Sequence, residues 1–231
     1  MKIAVLNVAT GGYIDLSKRL FESIKSNFLV DHQIDIFLFT DSDEQFADNI
    51  KKYNIKRRGF PGDTLLRYHY FLLAEKELLQ YDFLFYLDAD LYIEKPIGEE
   101  IISDIVAVHH PGFFGKTNGT FERRQISTAF VDSSINSPYF CGGVQGGRTE
   151  HYLAACREIK NNINVDMSKG VMAVWHDESH WNHFLSINKP TLALDPRYCY
   201  PTDAHFPWIE NFNDDRKIIT VEKDEKEIRK I

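Results

Sequence analysis

Phe83-Leu84-Phe85-Tyr86-Leu87-Asp88-Ala89-Asp90 is the stretch from which the rest of the chain is best read. Five consecutive apolar residues with no polar alternation predict a strand covered on both faces. Two carboxylates follow at once, one residue apart, where the strand must turn. Upstream, Ile3 to Val8 reads as another buried strand, ended by Ala9-Thr10-Gly11-Gly12. From about Tyr13 to Phe28, Ile14, Leu16, Leu20, Phe21, Ile24 and Phe28 recur at helical spacing. Ile34 to Phe39 is a second strand, stopped by Thr40-Asp41-Ser42-Asp43, and a helix is expected from Thr64 to Leu79. Downstream, Ile105 to Val108 is a further short strand, with helices from Thr149 to Lys160 and from near Asp177. This alternation predicts an α/β fold, an open sheet with at least three parallel strands flanked by helices. Ligands of such sheets gather at the carboxyl ends of the strands, where the two carboxylates lie.

The chain has 231 residues, 43% hydrophobic and 26% charged, which excludes wholesale disorder and suits one domain. Its net charge of −7 argues against a general nucleic-acid binder. Cys141, Cys156 and Cys199 are too few and too widely spaced for a disulfide framework, and they fit a reducing compartment. No apolar run approaches the roughly 18 residues of a membrane span, and the N-terminus enters a strand rather than a signal peptide. The expectation is a soluble, cytoplasmic protein without a membrane anchor.

Asp88 and Asp90 sit between apolar runs, Phe83 to Leu87 and Leu91 to Ile93, whereas Asp41 and Asp43 open into polar sequence. Carboxylates in apolar surroundings need a partner, and oxygen-only ligands select Mg²⁺ or Mn²⁺, ions that commonly bring a diphosphate. A second concentration is Val174-Trp175-His176-Asp177-Glu178-Ser179-His180-Trp181. Tryptophan stacks on sugar rings and carboxylates bind their hydroxyls. His176 and His180 have the spacing of zinc ligands, although the glutamate order of a zinc-protease motif is absent. Read as structure alone, the segment is a helix start capped by Asp177. Phe140 to Gly147 holds four glycines, matches no phosphate-loop pattern and reads as a tight turn or a close backbone approach. The charged stretch from Lys217 to Ile231 reads, on composition, as a solvated terminus.

These segments, in this order, resemble glycosyltransferase family 6, and Phe121-Glu122-Arg123-Arg124 adds to the resemblance, which runs from about Val8 to Arg229. It implies a GT-A fold: one catalytic domain over 1–231, with a nucleotide-binding half over about 1–110, an acceptor half over about 111–216 and a C-terminal lid over about 217–231. The implied reaction is retaining transfer of N-acetylgalactosamine or galactose from a UDP-sugar to a galactose-containing glycan in α-1,3 linkage. Matched by motif, Asp88 and Asp90 would hold Mn²⁺, or Mg²⁺, against the diphosphate. Val8, Tyr13, Arg67, Gly142, Gly143 and Asp177 would bind the donor, with Lys223 and Arg229 on its phosphates. Trp175, His176 and Glu178 would bind the acceptor, and Glu178 would also be catalytic. Asp63 stands one position late against the family's donor-binding Asp. Cys141-Gly142-Gly143 matches a triplet that sorts donors, and glycine in the third place favours UDP-N-acetylgalactosamine. Glu178 would either attack the anomeric carbon or stabilise its charge while the acceptor attacks from the leaving-group side. Rival readings are a metal-dependent UDP-sugar hydrolase and a non-catalytic galactoside-binding module.

Overall fold

The computed structural model describes residues 1–229; of the lid expected over 217–231, residues 230 and 231 lie outside them. In chain order the strands are β1 Lys2–Val8, β2 Gln33–Thr40, β3 Ile50–Asn54, β4 Phe83–Leu87, β5 Leu91–Ile93, β6 Val106–His109, β7 Phe140–Arg148, β8 Leu192–Leu194 and β9 Ile218–Thr220. The helices are α1 Tyr13–Asn27, α2 Gly62–Leu65, α3 Arg67–Phe71, α4 Glu75–Leu78, α5 Thr149–Ser168, α6 His176–Ile187 and α7 Glu225–Ile228. Seven strands form one mixed sheet in the order β3-β2-β1-β4-β7-β6-β8, and β5 pairs with β9 in a separate ribbon. The first four are parallel, and β7 runs antiparallel to both its neighbours. This mixed α/β sheet, flanked by helices, is the arrangement of a GT-A fold.

The sheet is covered on both faces, and the alternation along each strand shows why. Ile3 and Val5 of β1, with Phe83, Phe85 and Leu87 of β4, pack beneath Leu20, Phe21 and Ile24 of α1. Ala4, Leu6, Leu84 and Tyr86 face the other way, against Phe71, Tyr152, Cys156 and Trp181. Buried Asn7 ties the two central strands at their ends: its amide donates to the carbonyl of Leu87 at 2.9 Å and its oxygen accepts from Ser17. The chain leaving β4 is thus anchored immediately before Asp88.

Four expectations are corrected. The helix expected from Thr64 to Leu79 is broken into α2, α3, a 3-10 turn and α4. Arg67 Nε donates to the Thr64 carbonyl at 3.2 Å, occupying an acceptor that a continuous helix reserves for its own backbone. The glycine-rich Phe140–Arg148 is a full strand rather than a tight turn, because its glycines admit neighbours. A Cβ at Gly146 would come within 2.5 Å of the Leu84 carbonyl, and Gly147, at φ +150°, would meet that of Asp104 at 2.1 Å. The helix expected from Thr149 to Lys160 continues to Ser168. Finally, the charged tail is ordered as far as it is described: β9 pairs with β5 and Asp224 caps α7 through the amides of Lys226 and Glu227.

Candidate active site

β1 and β4 are adjacent and parallel, so their carboxyl ends open into one cleft of about 230 Å³. Val8, Tyr13, Arg67, Asp88, Asp90, Lys223 and Arg229, remote in sequence, all line it. The β5–β9 ribbon brings the tail there: Val221 donates its amide to the Asp90 carbonyl at 2.7 Å. Two residues on, the Lys223 ammonium forms an ion pair with Asp90. Arg229 covers the Phe60 ring, its guanidinium carbon 3.8 Å from the centroid. Burial and the neighbouring charge of Asp88 push the Asp90 carboxyl up, and Lys223 works against both. Asp88 is fixed by its amide, which donates to Gly143 at 2.9 Å, and by the Tyr86 hydroxyl, which donates to Oδ1.

The donor set suits a hard divalent ion: two carboxylates one residue apart, aimed into a cleft with no sulfur or imidazole among its lining residues. Among the described residues no group of three or more His, Cys, Asp or Glu forms a closed metal cage. Asp88 and Asp90 would therefore hold such an ion together with oxygens from a ligand. His176 and His180 do not converge as a zinc pair. His176 packs against the Phe60 ring at 5.3 Å, whereas His180 is buried beside Asp166, which lies 3.8 Å away.

Arg67, 3% exposed, links the cleft to α6. Its NH1 donates to the Gly142 carbonyl at 2.9 Å, Nε lies 3.1 Å from Asp177 and NH2 3.4 Å from Asp88. Burial pushes Asp177 up to about 7, with Arg67 pulling the other way. The Gly142 carbonyl also accepts from Gln145, whose own oxygen accepts from Tyr68 and Tyr152.

Beyond Asp88 lies a second cavity of about 420 Å³ that includes Gly143, Glu178, His110 and Phe206. Asp88, Asp90 and Lys223 line both cavities and form the wall between them. Glu178, in the first turn of α6, has both oxygens engaged: the Tyr139 hydroxyl donates to Oε1 at 2.7 Å and the Gly142 amide to Oε2 at 2.8 Å. A Cβ at Gly142 would press on Glu178 at 3.2 Å, and one at Gly143 would reach Asp88 Oδ2 at 2.8 Å. The segment Phe121–Arg124 supports this arrangement from behind. Phe121 packs edge-on to Tyr139 at 5.0 Å, and Glu122 accepts from the Val174 amide ahead of α6 at 2.9 Å.

A model of glycosyltransferase family 6 matches residues 69–230, more than half of the chain. The chain belongs to glycosyltransferase family 6. It is 30% identical to globoside alpha-1,3-N-acetylgalactosaminyltransferase 1 of Homo sapiens, over 87% of this chain and 61% of that protein. It is 27% identical to the O-antigen biosynthesis glycosyltransferase WbnI of Escherichia coli, over 97% of this chain and 96% of the relative. Histo-blood group ABO system transferase 1 of Rattus norvegicus is 28% identical over 81% of the chain and 58% of its own length. The chain thus spans about three fifths of the length of these two vertebrate relatives. Among the described residues no helix is long and apolar enough to cross a membrane.

Within this family 6 chain, Trp175 and His176 line neither cavity; Trp175 is half exposed beside them and fixes the helix start by donating its amide to Ser179 at 2.9 Å. Asp63 lines the first cleft with its acceptors already taken by Thr10, Arg58, Gly59 and Tyr70. It shapes the rim. Sequence reading missed Tyr139, Asn7 and Phe60. Tyr139 carried one signal, its place directly before the glycine-rich strand; a lone Asn and a lone Phe carried none.

Proposed function

We propose that this chain is a retaining, Mn²⁺-dependent transferase that moves N-acetylgalactosamine or galactose from a UDP-sugar to a galactoside in α-1,3 linkage. The observation that carries the reading is the pair of cavities divided by Asp88, Asp90 and Lys223, with Glu178 on the far side of the wall. Such a plan suits a nucleotide on one side, a glycan on the other and the transferred sugar at the wall. Asp88 and Asp90 would hold Mn²⁺, or Mg²⁺, whose chemistry is to neutralise the charge that grows on the leaving diphosphate. Lys223 and Arg229 add fixed positive charge on the same side, and Tyr13 supplies a flat surface for the base. Arg67 lines the cleft and would meet the sugar, while buried Asp177, which lines neither cavity, stands behind it 3.1 Å from Nε. By the family resemblance, glycine at 143 favours the 2-acetamido donor.

Glu178 accepts one hydrogen bond on each oxygen, and these two donors fix the direction in which its carboxylate points. A carboxylate held in place in this way suits stabilisation of positive charge at the anomeric carbon while an acceptor hydroxyl adds from the side that UDP leaves. Trp175 and His176, at the outer edge of the site, would meet the more distant part of the acceptor. The test is UDP release from UDP-N-acetylgalactosamine and UDP-galactose, with Mn²⁺ or chelator, with and without lactose and fucosylated lactose. The expected result is Mn²⁺-dependent release accelerated by one of these galactosides. Release indifferent to every saccharide would replace the transferase by a UDP-sugar hydrolase, and glycan binding without UDP or Mn²⁺ would replace it by a binding module.

A further inference from the structure

Two segments remote in sequence, 121–128 and 162–175, are stapled side by side. Arg124 donates to the Met172 carbonyl at 2.6 Å, and Glu122 accepts from the Val174 amide. Thr128 donates its amide to Asp166 at 2.7 Å and its hydroxyl to the Asn162 carbonyl at 2.9 Å. Val171 donates its amide to the Asp166 carbonyl at 2.9 Å, which closes the turn that holds Lys169. Along this seam runs a groove of about 560 Å³ whose lining includes Phe121, Arg123, Arg124, Met172 and Val174.

What the seam leaves in solvent is apolar and positive. Met172 and Val174 are about half exposed, and the same two segments expose Ile126 and Met167 to a similar degree. Arg123, Arg124 and Lys169 stand exposed among them. Arg124 is matched by Glu122, whose carboxyl its hydrogen bonds hold down at about 2, so the joint stays ionised. Arg123 lies over the Phe121 ring, and among the described residues neither Arg123 nor Lys169 has an ion pair. The carboxylates of these segments, Glu122 and Asp166, are both buried. The face therefore shows no negative charge to solvent, on a chain whose net charge is −7.

We propose that this face is a peripheral membrane-binding surface, which lies on an anionic bilayer rather than crossing it. Lipid phosphates attract the unpaired cations, while Met172, Val174 and the groove between the segments meet the boundary of headgroup and acyl chain. The long stem of an arginine or lysine can bury beside them and keep its charge at the phosphates. A bilayer of this kind offers both the negative charge and the apolar depth that the face matches. A second copy of the chain, paired about a two-fold axis, would instead set cations against cations. Trp175 carries the face on from Val174 to the outer edge of the acceptor side. On the transferase reading above, a galactoside carried on a lipid of the same bilayer would meet the site without leaving the membrane, at a raised effective concentration.

The test is flotation of the whole chain with vesicles of phosphatidylcholine alone and of an equimolar mixture with phosphatidylglycerol, at low and high salt. The chain should float with the mixed vesicles, stay behind with the neutral ones and be released by salt. Lys169→Glu and, separately, Met172→Ser with Val174→Ser should each weaken binding about ten-fold. Both variants should keep the parent's thermal unfolding and its UDP release with soluble lactose. No flotation, or equal flotation with neutral vesicles, overturns the proposal, and binding that both variants retain overturns this face. A dimer in solution that Met172→Ser with Val174→Ser dissociates, without vesicle binding by the parent, gives the face to a second copy instead. Transfer to a lactosyl lipid in the mixed vesicles should exceed transfer to soluble lactose at equal total concentration in the parent, and lose that advantage in Lys169→Glu. Equal rates in a vesicle-bound parent overturn the link to the acceptor. If the protein transfers no sugar at all, flotation still decides the surface, and the transferase reading fails separately.

Discussion

The two cavities that meet at Asp88 and Asp90 are built differently. The first cleft, proposed for the nucleotide, rests on the carboxyl ends of β1 and β4, whose residues are almost wholly buried, and its charged groups are tied down: Lys223 to Asp90, and Arg67 to Asp88 and to Asp177 behind it. The second cavity, proposed for the acceptor, takes much of its wall from connecting segments, with His110, Pro201, Asp203 and Phe206 among them. A wall of strand ends fixes distances, whereas a wall of loops tolerates substitution. The comparison teaches where each property should lie: binding of a constant group on the rigid side, choice among saccharides on the looser one.

Substitutions can break or sharpen that division. The largest effect is expected from Asp88→Asn with Asp90→Asn, a loss of transfer of about 10³-fold accompanied by loss of Mn²⁺–UDP binding. Isothermal titration that finds Mn²⁺–UDP affinity intact would remove the metal from the shared wall. Next is Glu178→Gln, with transfer down about 10²-fold or more and UDP binding unchanged; wild-type turnover would sink its role. Tyr139→Phe removes one of the two donors that hold Glu178, and kcat should drop about ten-fold with the KM for donor unmoved. A shift in donor KM instead would mean that the two sides are mechanically one.

The smallest effect on activity is expected from His180→Gln, which reports on stability. Burial lowers His180 from 6.5 to about 4. Between those values the unfolded chain takes up a proton that the folded chain refuses, so stability present at neutral pH is lost as pH falls. The loss is up to about 1.4 kcal/mol per pH unit. In urea unfolding at about pH 7 and about pH 5, the variant should show a flatter pH dependence than the parent. An unchanged slope would assign it to other buried histidines.

How much of this was legible in sequence follows from what each segment packs against. Phe83–Leu87 announced itself because a strand buried on both faces has no polar residues to disguise it, and the following Asp pair stood out against that background. β7 did not, since Gly142, Gly143, Gly146 and Gly147 carry no side-chain pattern; they are there for what approaches them. Arg67 on the expected helix was matched by motif, but its contacts with the Gly142 carbonyl and with Asp177 were not foreseeable, because both lie far away in the chain. β3 was hidden by Lys51 and Lys52 on a sheet edge. On charge alone the tail reads as a solvated terminus and only the resemblance makes it a lid; Ile218-Ile219 hold the strand that leads towards Lys223 and Asp90.

That last ion pair couples two equilibria. With its ammonium on Asp90, Lys223 competes with any cation that approaches the carboxylates alone. A diphosphate arriving with the cation gives Lys223 another anion to face, so the cation gains affinity from the nucleotide and, by reciprocity, the nucleotide gains the same factor from the cation. Mn²⁺ titrated with and without UDP would measure that shared factor, and Lys223→Ala would reduce it. On the proposed reading, Lys223 would serve as a counter-ion that makes metal and nucleotide enter the site as one.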